Sequence, residues 1–120
     1  MNNKKVLVID DEDFIRDLVG EFLDIEGIPC DGAEDAASAV RLLSQNHYDL
    51  ILLDRNLGKT TSDEVITVIR NIDTQVPVLM LTGDPQYNPE VFKKIGGNGV
   101  IYKPFQVDEF MKQVSIFLRP

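Results

Sequence analysis

Short apolar runs alternate with amphipathic stretches along the whole chain. Val6-Leu7-Val8-Ile9, Leu50-Ile51-Leu52-Leu53 and Val78-Leu79-Met80-Leu81 are continuously apolar, the mark of strands buried on both faces. Between them, apolar residues recur three and four apart, the helical period. The pattern predicts a strand at about residues 4–9, then a helix with Phe14, Ile15, Leu18, Val19, Phe22 and Leu23 on one face. Gly27 ends that helix. A weak strand follows near Pro29-Cys30-Asp31, then a helix marked by Ala36, Ala37, Val40 and Leu43. The run from Asp49 to Asp54 is a strand. Ser62 caps a third helix that turns Val65, Ile66, Ile69 and Ile72 inward. After the strand in "PVLMLTGD", Asn88-Pro89 reads as an N-cap and first residue of a short helix to about Ile95. "GVIYKPF" holds the last strand, and Val107, Phe110, Met111, Val114 and Leu118 line the last helix.

Five strands and five helices in strict alternation predict an α/β domain, a parallel sheet covered on both faces. Polar residues then cluster at the strand ends. The first strand ends in Asp10-Asp11, the third in Asp54, the fourth in Thr82-Gly83-Asp84, and the fifth in Lys103-Pro104. In an open parallel sheet these ends converge on one edge, where ligands bind at the switch point of strand order. An aspartate after a strand also serves as a helix cap or turn residue, and that reading stands beside the chemical one for each residue alone. Carboxylates packed together repel and call for a cation. Oxygen donors of this kind suit Mg²⁺, or Mn²⁺ in its place. With the Thr82 hydroxyl and the Lys103 ammonium, the set fits phosphoryl transfer to a carboxylate.

Composition narrows the classes. At 120 residues and 43% hydrophobic, the chain is one ordinary domain with a single core. The net charge of −8 argues against a nucleic-acid or anionic-membrane surface, which needs clustered Lys and Arg. Cys30 is the single cysteine, so no internal disulfide forms, in keeping with a reducing cytoplasm. No apolar run approaches a membrane span and no signal-peptide core opens the chain. A cytoplasmic single domain over 1–120 is expected, with its core at about 4–118 and no repeat, linker or output domain within it.

The motifs "VLVIDDE" (6–12), "YDLILLDRNL" (48–57), "PVLMLTGD" (77–84) and "YKPF" (102–105) resemble those of the receiver domain of bacterial two-component response regulators. The resemblance covers nearly the whole chain. It implies a flavodoxin-like doubly wound fold with strand order 2-1-3-4-5. It implies that Asp54 accepts a phosphoryl group from the phosphohistidine of a sensor histidine kinase or histidine phosphotransfer domain. Asp11, Asp54 and the backbone carbonyl of Asn56 would bind the metal directly, and Asp10 through a water. Thr82 and Lys103 would hold phosphoryl oxygens, Gly83 would leave room beside them, and Pro104 would follow a cis peptide. Asn56 and Asp84, two residues beyond Asp54 and Thr82, would orient water and make the phosphoryl group short-lived. The face around the fourth helix, last strand and last helix would read out the change to a downstream partner or output domain, and would carry any homodimer.

Two departures stand out. The position three before Lys103, where the family places its switch aromatic, is Val100. Tyr102 is aromatic, but adjacent strand residues alternate faces, and Tyr102 is expected not to share the direction of Val100. The loop after Asp54 reads Leu57-Gly58-Lys59-Thr60-Thr61-Ser62 and is expected to be mobile. Arg55 and Lys59 read as solvated surface charges, and Glu12 as a helix-terminus residue. "GGNG" at 96–99 is a tight turn, while His47, Cys30 and the Phe105, Phe110 and Phe117 set read as structural. Other readings of the chain are an aspartate-nucleophile phosphatase or phosphotransferase, a flavin-binding electron carrier, and a receiver that docks partners without being phosphorylated. Asn56 weakens the first, since such enzymes carry a second Asp there. "DDED" weakens the second, since it would repel a phosphate.

Overall fold

The computed structural model of the chain describes residues 4–118. In chain order the elements are β1 (Val6–Ile9), α1 (Asp13–Ile25), β2 (Cys30–Ala33), α2 (Ala36–Gln45), β3 (Leu50–Asp54), β4 (Asn56–Leu57), β5 (Thr60–Thr61), α3 (Ser62–Ile72), β6 (Val78–Thr82), α4 (Pro89–Lys94), β7 (Gly99–Tyr102) and α5 (Val107–Leu118). The main sheet runs β2-β1-β3-β6-β7, and every pairing in it is parallel. Among the five predicted strands this is the order 2-1-3-4-5.

The apolar strands are buried on both faces because each face has its own helices. Leu7, Ile9, Ile51, Leu53, Val78 and Met80 pack under α2, α3 and α4, against residues such as Leu43, Ile66 and Phe92. Val6, Val8, Leu50, Leu52, Leu79 and Leu81 pack under α1 and α5, against Val19, Leu23, Phe110 and Val114. The period-2 alternation assigns each strand residue to one layer. On the second face Phe22, Phe105 and Phe110 form a ring cluster with centroids 5.2–6.2 Å apart.

Several sequence expectations need correction. Phe14 is 69% exposed. It lies about 100° around the helix from Ile15, at the outer edge of the apolar arc. The second helix buries Ala39 and Leu43, while Ala37, about half a turn from Ala39, faces solvent. Ile72 ends α3 and is exposed, because periodicity fixes a direction but not how far the layer beneath extends. Thr61, not Ser62, caps α3: its extended backbone suits an N-cap and its Oγ1 accepts from the Glu64 N–H at 3.3 Å. Ser62 is the first helical residue and is buried.

The segment after Asp54 is ordered differently from the expected loose loop. Asn56–Leu57 and Thr60–Thr61 pair antiparallel in a small hairpin. Gly58, at φ +63, opens its two-residue turn in the conformation that glycine adopts freely. Leu57 anchors the hairpin in the core. The expected turn at 96–99 is present, and it requires glycine for a steric reason: a Cβ on Gly97 would lie 2.2 Å from the Phe92 ring.

Candidate functional site at the carboxyl edge of the sheet

The carboxyl ends of β1, β3, β6 and β7 bring Asp10, Asp54, Thr82 and Lys103 to one edge, Asp54 and Thr82 as the last strand residues and Asp10 and Lys103 as the residues just after. Asp10 follows β1 and is fully buried, and Asp54 ends β3 at 7% exposure. Neither charge is left alone. The Lys103 ammonium donates to Asp10 Oδ2 at 3.2 Å and to Asp54 Oδ1 at 3.1 Å. Asp10 Oδ1 accepts the backbone N–H of Glu12 at 2.9 Å, which draws the start of α1 onto the site. Glu12 is the N-cap of α1, and its carboxylate lies 3.8 Å from the same ammonium. Lys103 is itself fixed by its N–H to the Thr82 carbonyl at 2.7 Å, and the Lys103–Pro104 peptide is cis.

One ammonium therefore serves three carboxylates. The electrostatic result is visible at Asp54, whose carboxyl is pushed up to about 6. Burial is the largest cause, followed by the negative charge of Asp10. Lys103 acts in the opposite direction and does not fully offset them. Burial works against the charge on Lys103 too, but Asp10 and Asp54 outweigh it and hold the ammonium above its ordinary value.

The tightest group of acids is Asp10, Asp11 and Glu12, whose ligating oxygens lie within 4.8 Å of one another. Asp54 joins them through Lys103. This is a set of hard oxygen donors on a partly open crevice lined by Asp11, Glu12, Asp54, Asn56, Gly58, Gly83 and Lys103, and such a set fits Mg²⁺ or Mn²⁺. A Cβ on Gly83 would meet nothing within 4 Å, so space beside the acids is open. The buried Thr82 places Oγ1 as acceptor for the Asp84 N–H at 3.1 Å.

Tyr102 lies on the face the sequence reading denied it. Residues 100 and 102 are two apart and share a side of the strand. Val100 packs into the layer that holds Tyr87, and the Tyr102 hydroxyl donates to the Tyr87 carbonyl at 2.7 Å. Sequence reasoning also missed the contacts of two residues beside the site. Arg16 donates from Nη1 to the Asp10 carbonyl at 2.6 Å. Arg55 is no free surface charge: it pairs with Asp84 at 3.0 Å and lies 4.5 Å from the Tyr87 ring centroid. The only advance signal for Arg55 was its place directly after Asp54.

Fold and site together define a class of protein, a phosphorylation-controlled receiver. The response regulator receiver domain family matches residues 6–115, and the chain belongs to that family. Its members act as switches in two-component systems, alongside histidine kinases and output domains. The chain is 28% identical over 120 residues to the regulatory protein VirG of Agrobacterium tumefaciens, covering 97% of this chain and 44% of that protein. It is 34% identical to the transcriptional regulatory protein SrrA of Staphylococcus aureus, covering 98% and 48%. It thus spans about half the length of these relatives. Among solved structures, chemotaxis protein CheY4 of Vibrio cholerae superposes with a TM-score of 0.87 at 29% identity, covering 96% of this chain and 98% of that one. The NtrX receiver domain of Brucella abortus gives 0.88 at 29%, covering 94% and 97%. Among the described residues no helix is long and apolar enough to cross a membrane.

Proposed function

We propose that this chain takes a phosphoryl group onto Asp54 from a phosphohistidine of a sensor histidine kinase or histidine phosphotransfer domain, and that the modification changes its binding to a downstream partner. The observation that carries this reading is the shared lysine. Asp54 is a buried carboxylate whose charge is only partly compensated, at the end of a central strand and facing an open crevice. At neutral pH its oxygen is ionised and nucleophilic. It forms the new O–P bond while the P–N bond breaks, and the electron pair returns to the imidazole nitrogen. Lys103 already reaches Asp54 and is in position to take up a phosphoryl oxygen. Thr82 exchanges its acceptor role toward the Asp84 N–H for donation to another oxygen. Asp10, Asp11, Asp54 and the Asn56 carbonyl are the groups that would hold Mg²⁺ or Mn²⁺, whose chemistry is neutralisation of charge on the transferring group.

Incubation with acetyl phosphate and Mg²⁺, read by intact mass, tests this. Wild type should gain one phosphoryl group and Asp54→Asn none. Equal gain in both, or none in either, would leave a receiver that docks without being phosphorylated.

A further inference from the structure

We propose that Arg16 is a positioning residue for cation binding: it holds the Asp10 carbonyl and so keeps the Asp10-Asp11 turn in the shape that presents its acids to Mg²⁺ or Mn²⁺. The inference rests on the cation site proposed above. Arg16 stands in the first turn of α1, its backbone N–H bonded to the Glu12 carbonyl at 3.2 Å. A cation there opposes the helix dipole, so helix preference does not explain it. Its long side chain instead folds back across the turn. Nη1 donates to the Asp10 carbonyl at 2.6 Å and Nη2 to the Asp13 carboxylate. The side chain is only 19% exposed, so the arm is packed rather than loose in solvent.

The contact completes the restraint of Asp10. Its N–H is bonded to the Ala33 carbonyl at 3.0 Å, Oδ1 accepts from the Glu12 N–H and Oδ2 from Lys103. The Asp10 carbonyl belongs to the peptide that leads into Asp11, an exposed residue in a bend, and Arg16 fixes the plane of that peptide. The carboxylates of Asp10, Asp11 and Glu12, with oxygens within 4.8 Å of one another, repel. A turn without the guanidinium would relax outward, and a cation would have to gather the acids again at a cost in affinity. Arg16 holds the turn closed beforehand. It does so from outside the crevice, in a separate groove that it lines with Asp17, Glu21 and Gly32.

Gly32 gives an independent handle on the same contact. A Cβ there would lie 3.1 Å from Arg16 Cδ. The bulk of a valine would therefore crowd the arm off the carbonyl and into the groove, where Asp17 and Glu21 offer it acidic partners. Valine suits a strand and Gly32 is exposed, so the fold should tolerate the change.

The test counts bound Mn²⁺ by loss of the free-ion electron paramagnetic resonance signal, with Mg²⁺ as competitor. Wild type, Arg16→Met, Arg16→Lys and Gly32→Val are compared, and melting in chelator gives the folded fraction of each. Arg16→Met should weaken binding about tenfold, the low end of what loss of a group supporting a ligand costs. Gly32→Val keeps the charge but displaces it. Arg16→Lys keeps the charge but cannot reach the carbonyl and Asp13 together. Each should weaken binding about threefold. A guanidinium acting only as a nearby positive charge would repel the cation, so an Arg16→Met that binds as tightly as wild type, or more tightly, overturns the proposal. So does a Gly32→Val that binds as wild type does. If the loss vanishes when binding is counted per folded molecule, Arg16 serves the fold alone and the proposal fails. A wild type that binds no Mn²⁺ refutes the cation site itself and this inference with it, whereas a binding wild type with unweakened variants refutes this inference alone.

Discussion

The two edges of the sheet solve the same problem in opposite ways. At the amino edge, Lys5 lies 3.0 Å from Asp31, and the buried Tyr48 donates to the same carboxylate oxygen at 2.6 Å. Lys4 and His47 approach the neighbouring Asp49 at 3.9 and 3.5 Å, and Asp49 also accepts the Lys5 N–H at 2.9 Å. Burial alone would raise the Asp31 carboxyl, yet Tyr48 and Lys5 together hold it below its ordinary value. At the carboxyl edge the ratio is reversed. Asp10, Glu12 and Asp54 converge on one ammonium, and Asp54 is pushed up. A carboxylate whose partners outweigh its burial is structural. A carboxylate left short of positive charge is ready to bind a cation or to react.

The sharpest way to break this contrast is to remove Lys103. In metal-free buffer Lys103→Met leaves Asp10 and Asp54 facing each other without compensation, and should cost about 3 kcal/mol in urea unfolding. Mg²⁺ should restore much of that loss by binding the folded state.

Next in size is Asp54→Asn, where the sign is the informative part. Folded Asp54 titrates at about 6 against an ordinary value of 3.8. Folding therefore takes up a proton between those values, and stability falls as pH rises through that window. In chelator at neutral pH, Asp54→Asn should be about 2 kcal/mol more stable than wild type, and the gain should fade as pH drops from about 6 toward about 4. Asp31→Asn should do the reverse. Its folded carboxyl lies below the ordinary value, so the stability it provides is present at neutral pH and lost as pH falls through that lowered value. If both substitutions move stability the same way at neutral pH, the two edges are not opposites.

The amino edge should give the small effects. Tyr48→Phe removes one hydroxyl donor and should cost about 1 kcal/mol in thermal unfolding. Lys5→Met, at a partly exposed pair, should cost less than about 1 kcal/mol. Neither should change phosphoryl uptake.

The layers and the converging strand ends were legible because they follow from alternation, whereas the strand order 2-1-3-4-5 came from the family resemblance: apolar strands fix the layers, and whatever follows each strand must arrive at one edge. Asp10, Asp54 and Lys103 could be placed together on that ground alone. What the chain did not disclose lies off this logic. The Arg55–Asp84 pair spans 29 residues and joins two loops, where no periodicity constrains direction. The hairpin at Asn56–Thr61 is too short to show a strand pattern. Tyr102 was misread because the alternation rule was applied to the wrong neighbour: Lys103 is adjacent to it, but Val100 is two away. Phe14 and Ile72 fit the helical period and still face water, because a period carries no information about where the layer beneath stops.

The bond from the Tyr102 hydroxyl to the Tyr87 carbonyl has a spectroscopic consequence. The chain holds three tyrosines and no tryptophan, so nothing masks the weak ultraviolet emission of its phenols. Tyr48 is sealed against Asp31, leaving Tyr87 under its guanidinium and Tyr102 at the surface as the pair that loop motion would disturb. The native, unlabelled domain is thus its own optical probe, and its fluorescence reports on the loop between β6 and α4 without a dye.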